Sequence, residues 1–476
     1  MNQTSIFDIM YPKFKIDKPI RLIEFFGGYG SQALALKYSS VHFEHWKLCE
    51  WAVKSIQAYK DIHYWNDNED YSKNMSVEQI KEYLFNKGIS SNYNEPMSKE
   101  QINRLNEKQV RTIYNNIIAT HNLVNIQQVK GEDLEMVDTD KYDYIWTYSF
   151  PCQDLSNAGL KKGFNDTSTR SGMLWEVERI LEECDKIGQK PRILLMENVI
   201  QVHSPGENLE NFHKWQLKLE SLGYKNYMQD LIATDYGIPQ TRNRCFMVSI
   251  LGDYSYTFPQ PIPLKLKLKD LLEQNVDESY YLSDKQIKDI QSWNAYEKPL
   301  ENMEKMDKSN ISQTLTTRSG AYAAGMILVK NNTKQGYLEA TEGDGIDLAQ
   351  PNSETRRGRV QKEAIQTLTT QNNLGVCVGT YQYSKSDNFM KDKDRLQLGK
   401  EVSDTLQTTQ KEGVVYNDLR IRKLTPKECF RLMGVRDEDF EKCAKNQSNA
   451  SLYHLAGDSI VVNVLCHLFK QFFKDS

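Results

Sequence analysis

Cys152 lies in TYSFPCQDLS, residues 147–156, with Pro151 before it and Gln153 after it, where an apolar run stops. A thiol that only fills core gains nothing from that placement. The thiolate, not the thiol, is the nucleophile, so a reactive cysteine needs a helix N-terminus or a nearby cation. A proline that fixes the turn, followed by a segment able to aim N–H groups at sulfur, suits that need. MENV, residues 196–199, sets Glu197 and Asn198 at the end of another apolar run. A carboxylate buried there would have a raised pKa and could hold a proton. GIPQTRNRCFMV, residues 237–248, places Gln240, Arg242 and Arg244 in alternation, hence on one face of an extended segment. Two arginines and a glutamine on one face pack at a cost but recognise polar groups well.

A second set of residues suits a nucleotide-like ligand. In EFFGGYGSQALAL, residues 24–36, an apolar run enters a glycine turn and then a helical pattern. Glycines let backbone approach a ligand, and the helix N-terminus offers free N–H groups. A dinucleotide, a phosphate and a methyl donor are all compatible with that turn, as is a purely structural role. In KLCEWAV, residues 47–53, Glu50 falls at the end of the second strand, where a carboxylate accepts hydrogen bonds from ribose hydroxyls. Trp51 beside it suits stacking on an adenine as well as it suits core packing. Asp133, in GEDLEM, is an acceptor for an adenine amino group. No cysteine–histidine order of a protease is evident. His42, His45 and Cys49 make a poor zinc pattern and read as ordinary strand residues, so no metal is expected.

The elements that must position these groups alternate. PIRLIEFF (19–26), KYDYIWTYSF (141–150), PRILLMEN (191–198) and RCFMVSIL (244–251) read as buried strands. QALALKY (32–38), SGMLWEVERILEECDKI (171–187) and NFHKWQLKLESLG (211–223) read as helices, the last ending on glycine. Strands alternating with helices predict a mostly parallel sheet covered on both faces, with ligands beyond the carboxyl ends of the strands. The glycine turn, Cys152 and Glu197 all fall there. Residues 60–126 interrupt the rhythm with polar helical text and read as an inserted, solvated accessory surface. After Pro259 a weak repeat recurs in SQTLTTRSGAYAAGMILV (312–329), IQTLTTQNNLGVCVG (365–379) and SDTLQTTQKEGVVY (403–416), each resembling a β-hairpin at uneven spacing. Helical text resumes after 418.

At 476 residues the chain is long for one domain. Its formal charge of −4 requires any nucleic-acid surface to concentrate positive charge locally. Eight scattered cysteines with no CxxC pair point to reduced thiols, and no signal-peptide or membrane-spanning pattern appears, so a cytoplasmic location is expected.

Taken in order, these motifs resemble those of C5-cytosine DNA methyltransferases of bacterial or phage type. The family's order is a glycine-rich donor loop, an acidic second-strand end, Pro-Cys-Gln, Glu-Asn-Val and Gln-x-Arg-x-Arg. After a variable recognition region come Arg-x-Leu-Thr-x-x-Glu and Gly-Asn-Ser. Here RKLTPKECFRLMG (422–434) and GDSIVVNVL (457–465) fill the last two places. The resemblance spans the chain except 60–126 and most of 259–417. Two departures stand out: Ser31 replaces the second glycine of the donor loop, and Asp458 replaces the family's asparagine.

The resemblance implies an α/β fold, a Rossmann-like class I methyltransferase sheet with a smaller β-rich target-recognition domain. The expected divisions are a catalytic domain over 18–258, a recognition domain over 259–417, and a return to the catalytic domain over 418–476. It implies S-adenosylmethionine as cofactor, held by Phe26, Gly28, Gly30, Glu50, Trp51, Asp133, Leu174, Asp458 and Ser459. It implies catalysis by Cys152 adding to C6 of a flipped-out cytosine, with Glu197 at N3 and Arg244, assisted by Arg242, at O2. Gln153 and Ser156 are candidates to contact the gap left in the duplex. Thr425 and Arg431 are expected to organise the region near the recognition domain, where Arg318, Arg356, Arg357 and Arg359 are candidate DNA contacts. The expected partner is double-stranded DNA, with a cognate restriction endonuclease acting separately as a further candidate; a monomer is expected. The rival readings are RNA methylation and a catalytically silent DNA-binding regulator; the large recognition region disfavours the first, and the intact Cys152, Glu197 and Arg244 the second.

Overall fold

The structure, a computed structural model, describes residues 11–151, 171–283, 285–287, 327–351, 353, 355–371, 373–383 and 415–473. It divides into two units. The first comprises Met1–Leu271, Thr367–Asn372 and Thr425–Ser476, the second Leu272–Gln366 and Asn373–Leu424.

In the first unit, β1 (Ile20–Phe25), β2 (Phe43–Cys49), β3 (Asp143–Tyr148), β4 (Ile193–Asn198), β5 (Tyr224–Ile232) and β6 (Asn243–Leu251) form one sheet in the order β2-β1-β3-β4-β6-β5. The first four strands are mutually parallel, and every residue of β1, β3 and β4 is buried, as parallel strands covered on both faces require. The helices α1 (Ser31–Tyr38) and α2 (Val53–His63) follow β1 and β2. Further on, α6 (Leu174–Lys186) and α7 (Glu207–Ser221) send Val177, Ile180, Phe212 and Trp215 into one apolar cluster with Phe25, Trp146, Leu194 and Met247. The sheet is Rossmann-like, with one strand reversed. β6 runs antiparallel to both β4 and β5. Only residues 233–242 join β5 to β6, too few for the crossover that a parallel pair needs.

The inserted segment forms α3 (Val77–Lys87), α4 (Lys99–Asn103) and α5 (Glu107–Ala119). Each starts at a reciprocal capping box, Ser76 with Gln79, Ser98 with Gln101 and Asn106 with Gln109. Ile80, Leu84, Ile102, Val110 and Ile117 bury together against Ile56 of α2. Backbone bridges Leu48–Asn122 and Ala52–Ser90 stitch the insertion to the end of β2. It is thus more than the solvated appendage its composition suggests.

The chain closes the first unit with α8 (Pro426–Leu432), α9 (Asp437–Ala444), α10 (Asn449–Asp458) and α11 (Val462–Lys470). Thr425 and Glu428 cap α8 reciprocally, with Pro426 in its first turn. Arg431 forks onto Asp437 at 2.7 and 2.6 Å and donates to the Leu271 carbonyl. Asn449–Lys470 is apolar enough on average for a membrane span, but it is two helices and mostly buried.

The second unit is β-rich. β7 (Ile327–Lys330) pairs with β8 (Tyr337–Ala340), while β9 (Gly345–Asp347), β10 (Val360–Gln361), β11 (Leu374–Tyr383) and β12 (Val415–Lys423) form an antiparallel sheet ordered β10-β9-β11-β12. Its boundaries differ from 259–417: the first unit runs on to Leu271, and β12 continues to Lys423 before the first unit resumes at Thr425. The middle repeat is not a hairpin, because its residues 367–372 belong to the first unit and only Leu374 onward is strand. Most of the first repeat and of the third lies outside the described residues, as does Arg318. Arg359 is not a DNA-facing group. It is fully buried, and its guanidinium donates to the Gln350 carbonyl at 2.7 Å. Arg356 is paired with Asp347 at 2.6 Å, and Arg357 is exposed.

Candidate functional site

The carboxyl ends of β1, β2, β3 and β4 open on one edge of the sheet, and the candidate residues leave the strands there. The reversed strand completes this edge. Because β6 is antiparallel to β4, Glu197 pairs with Phe246 and Asn198 with Cys245, so the start of β6 lies beside the end of β4. Arg244 Nε is 3.2 Å from Glu197 Oε1. Glu197 is 7% exposed, and burial raises its pKa against the opposing pull of Arg244 and then Arg242. Its Oε1 finds no hydrogen bond of good geometry among the described residues, an expensive state for a buried oxygen unless a ligand completes it.

Asn198 serves the neighbouring loop. Its Nδ2 donates to the Phe150 carbonyl at 3.0 Å and its Oδ1 accepts from Val199 N at 2.8 Å. The end of β4 thereby fixes the chain one residue before Pro151. Cys152, Gln153 and Ser156 lie outside the described residues.

Gln240 and Arg242 do not share the setting of Arg244. Gln240 is fully buried; its amide donates to the Leu432 carbonyl at 2.7 Å and accepts from Leu368 N at 3.1 Å. Arg242 donates to the carbonyls of Leu368, Gly457 and Ser459 at 3.2, 3.1 and 2.7 Å. Alternation does give the three a common character, but two of them tie the 367–372 segment and the end of α10 to the start of β6.

Part of the second candidate set lines a cavity. Phe26, Gly28, Asp458 and Ser459 line it, together with Ser31, Gln32, Ser55, Tyr93, Ser149 and His454. Gly30 caps α1 at φ +82°, with no side-chain bond to the helix's N–H groups. A Cβ on Gly30 would sit 2.3 Å from His63 Nε2 and 2.7 Å from the Tyr59 ring, so only glycine fits. A Cβ on Gly28 would meet nothing within 4 Å, which leaves open space on the cavity side. Beneath the loop, buried Glu24 accepts from Tyr59 Oη at 2.6 Å and Ala33 N at 3.3 Å. Ser31, in the place of a glycine, is the first residue of α1 and is buried.

Glu50 stands behind this loop. Its carboxylate accepts Gly28 N at 3.0 Å and Ala52 N at 2.7 Å, one on each oxygen. Asn122, from the insertion, accepts Glu50 N at 3.1 Å and donates to Glu50 O at 2.9 Å. Burial pushes the Glu50 pKa up to about 7, against the backbone bonds that lower it. The free lone pairs suit hydroxyl donors, and such donors favour the ionised form. Ligand affinity should therefore rise with pH between 6 and 8, as the free carboxyl ionises, and Glu50→Gln should abolish that rise. Glu50→Ala should weaken binding of a ribose-bearing ligand roughly 10- to 100-fold by calorimetry, the scale of a lost hydrogen bond to a charged group.

The remaining candidates do not line the cavity. Trp51 packs against the apolar cluster of the insertion. Leu174 is fully buried in the main core at the start of α6. Asp133 is exposed and accepts Lys130 N at 2.8 Å. Three residues escaped the sequence reading. Asn122 and Tyr93 carry no motif and sit in the insertion; His454 is one helical turn before Asp458, a spacing that does signal a pair. Among the described residues His42, His45 and Cys49 do not form a ligand cluster: His45 Nδ1 meets Tyr59 Oη at 2.9 Å and the Cys49 thiol donates to the Val124 carbonyl.

A sequence profile of the family described as C-5 cytosine-specific DNA methylase matches residues 87–474. The Type II methyltransferase M2.ScrFI of Lactococcus lactis subsp. cremoris is 31% identical over 462 residues, covering 96% of this chain and 99% of the relative. The orphan methyltransferase M.SssI of Spiroplasma monobiae is 33% identical over 345 residues, covering 71% of this chain and 81% of the relative. Among solved structures, the S. pombe Dnmt2 methyltransferase aligns over 95% of this chain and 98% of that chain, with a TM-score of 0.49 and 15% identity.

Proposed function

As the chain belongs to the C-5 cytosine-specific DNA methylase family, we propose that it moves the methyl group of S-adenosylmethionine to carbon 5 of cytosine in one double-stranded DNA sequence, by covalent addition of Cys152. The observation that carries this reading is the pairing of buried Glu197 with partly buried Arg244 at the edge where the chain turns toward Pro151.

Carbon 5 of cytosine is a poor nucleophile. Cys152 thiolate forms a bond to C6, and the electron pair released makes C5 enamine-like. Glu197, carrying a proton at N3, takes up the negative charge that develops on the ring, and Arg244 holds O2. Bound S-adenosylmethionine would supply the electrophilic methyl for C5, the S–CH3 electron pair staying on sulfur as S-adenosylhomocysteine leaves. A base then removes the C5 proton, the C5–C6 double bond re-forms and the thiolate leaves. The cytosine has to leave the stack for any of this, at a cost of a few kcal/mol. Phe26, Gly28, Asp458 and Ser459 would hold the donor in the cavity, with Glu50 accepting from its ribose. Arg242 is better suited to bracing the start of β6 than to contacting the base.

The second unit is proposed to choose the sequence, with exposed Arg357 a candidate contact and Arg359 a structural one. Bisulfite sequencing of DNA from cells expressing the protein should show methylated cytosine in a single context. Exchange of Leu272–Leu424 for the same region of a relative should change that context. Unmethylated DNA would overturn the activity, and an unchanged context in an active chimera would overturn the division of labour.

A further inference from the structure

The cavity assigned to the donor has a wall that the family motifs do not account for. Tyr93, from the insertion, has φ +64°, and its ring stacks on that of His454 with centroids 4.0 Å apart and planes 16° from parallel. His454 Nδ1 is 3.2 Å from Asp458 Oδ2, one turn later on α10. All three side chains line the cavity with Phe26 and Gly28. The Tyr93 hydroxyl is buried near Ser55 and makes no hydrogen bond of good geometry among the described residues. The Asp458 side chain keeps 52% of its surface, and Asp458 is among the residues that line the cavity. Burial raises its pKa, while His454 and Arg242 pull it down.

An ordinary donor pocket would take a neutral asparagine where Asp458 stands. The donor carries a sulfonium, an ammonium and a carboxylate, a net charge of about +1 near neutral pH, whereas its demethylated product has lost the sulfonium and is close to neutral. A carboxylate in the wall favours the cationic ligand over the neutral one, and stacked aromatic faces add to that preference. We propose that Tyr93, His454 and Asp458 form a cation-selecting wall that makes the pocket prefer S-adenosylmethionine over S-adenosylhomocysteine, and so relieves product inhibition. This rests on the reading of the cavity as the donor site. It also gives the insertion a part in the donor pocket, contrary to an accessory role.

Calorimetric titration of the full-length protein with donor, product and sinefungin tests the wall. Sinefungin carries an amine in place of the sulfonium, so it keeps the positive charge. In Asp458→Asn the affinity for donor and sinefungin should fall roughly tenfold relative to that for the product. Equal losses for all three would place Asp458 against their shared amino-acid end and overturn charge selection. Tyr93→Ala should weaken donor binding more than product binding, whereas Tyr93→Phe should keep most of the preference; unchanged affinities in a Tyr93→Ala protein that melts like wild type would remove the insertion from the wall. Glu50→Ala separates this from the underlying reading. If wild type binds neither donor nor product, the donor site itself is misassigned. If Glu50→Ala loses both ligands while Asp458→Asn keeps the wild-type ratio, the donor site stands and the cation-selecting wall falls.

Discussion

Cys152→Ala is expected to abolish methyl transfer while leaving the fold and donor binding intact. Deleting a nucleophile can cost on the order of a millionfold in turnover, because no other group takes over the covalent step. The chain leading toward Pro151 is held at the end of β4: Asn198 donates to the Phe150 carbonyl at 3.0 Å. The covalent step has its own signature. With fluorine in place of the C5 proton of cytosine, the base has no proton to remove, so the thiolate cannot be expelled and the adduct accumulates. Wild type with donor and 5-fluorocytosine DNA should therefore run as a protein–DNA adduct on a denaturing gel. Cys152→Ala should give none. An adduct of equal yield from Cys152→Ala would mean that another residue attacks C6.

The parts of this arrangement that could be read in the sequence are those where an apolar run ends in chemistry. β1, β3 and β4 are buried throughout and their text is mainly apolar, broken by Arg21, Glu24 and Asp143; the glycine turn and Glu197 are visible where β1 and β4 end, and Glu50 where the half-buried β2 ends. β5 was not visible. It is one of the sheet's two edge strands, with exposed Gln229 and Asp230, and its text YKNYMQDLI has neither a continuous run nor clean alternation. Arginines were visible as charges, but not what they would meet. Arg359 satisfies itself on the Gln350 carbonyl of its own loop, whereas Arg242 does so on the carbonyls of Leu368 and Ser459, far along the chain. Tyr93 and Asn122 were hidden for a related reason. Their contribution depends on the bridges that fold the insertion back onto β2, and no local pattern encodes those.

Glu197→Gln should separate activity from stability. Turnover is expected to fall about 10²- to 10⁴-fold, the usual worth of a positioned proton donor, since the amide can hydrogen-bond N3 but cannot supply a proton as charge develops on the ring. Stability should move the other way. Burial raises the pKa of Glu197 in the folded protein by more than Arg244 and Arg242 lower it. A raised folded pKa adds stability that is fully present below the unfolded carboxyl value and is lost as pH climbs through the folded one. Above that point wild type carries a buried charge incompletely offset, with the Arg244 Nε at 3.2 Å. Glutamine removes this dependence, at the expense of leaving Arg244 without its partner. Arg244 retains 18% of its side-chain surface, so water limits that second cost, while the Glu197 carboxylate has no such relief. The variant should thus melt no lower than wild type at pH 8, and its advantage should shrink as the pH is lowered toward 5. Thermal melts at the two pH values, run beside a methyl-transfer assay, measure both halves. A variant that melts well below wild type at pH 8 would show that the ion pair with Arg244 outweighs burial, and Glu197 would then act at N3 as a carboxylate rather than as a proton carrier.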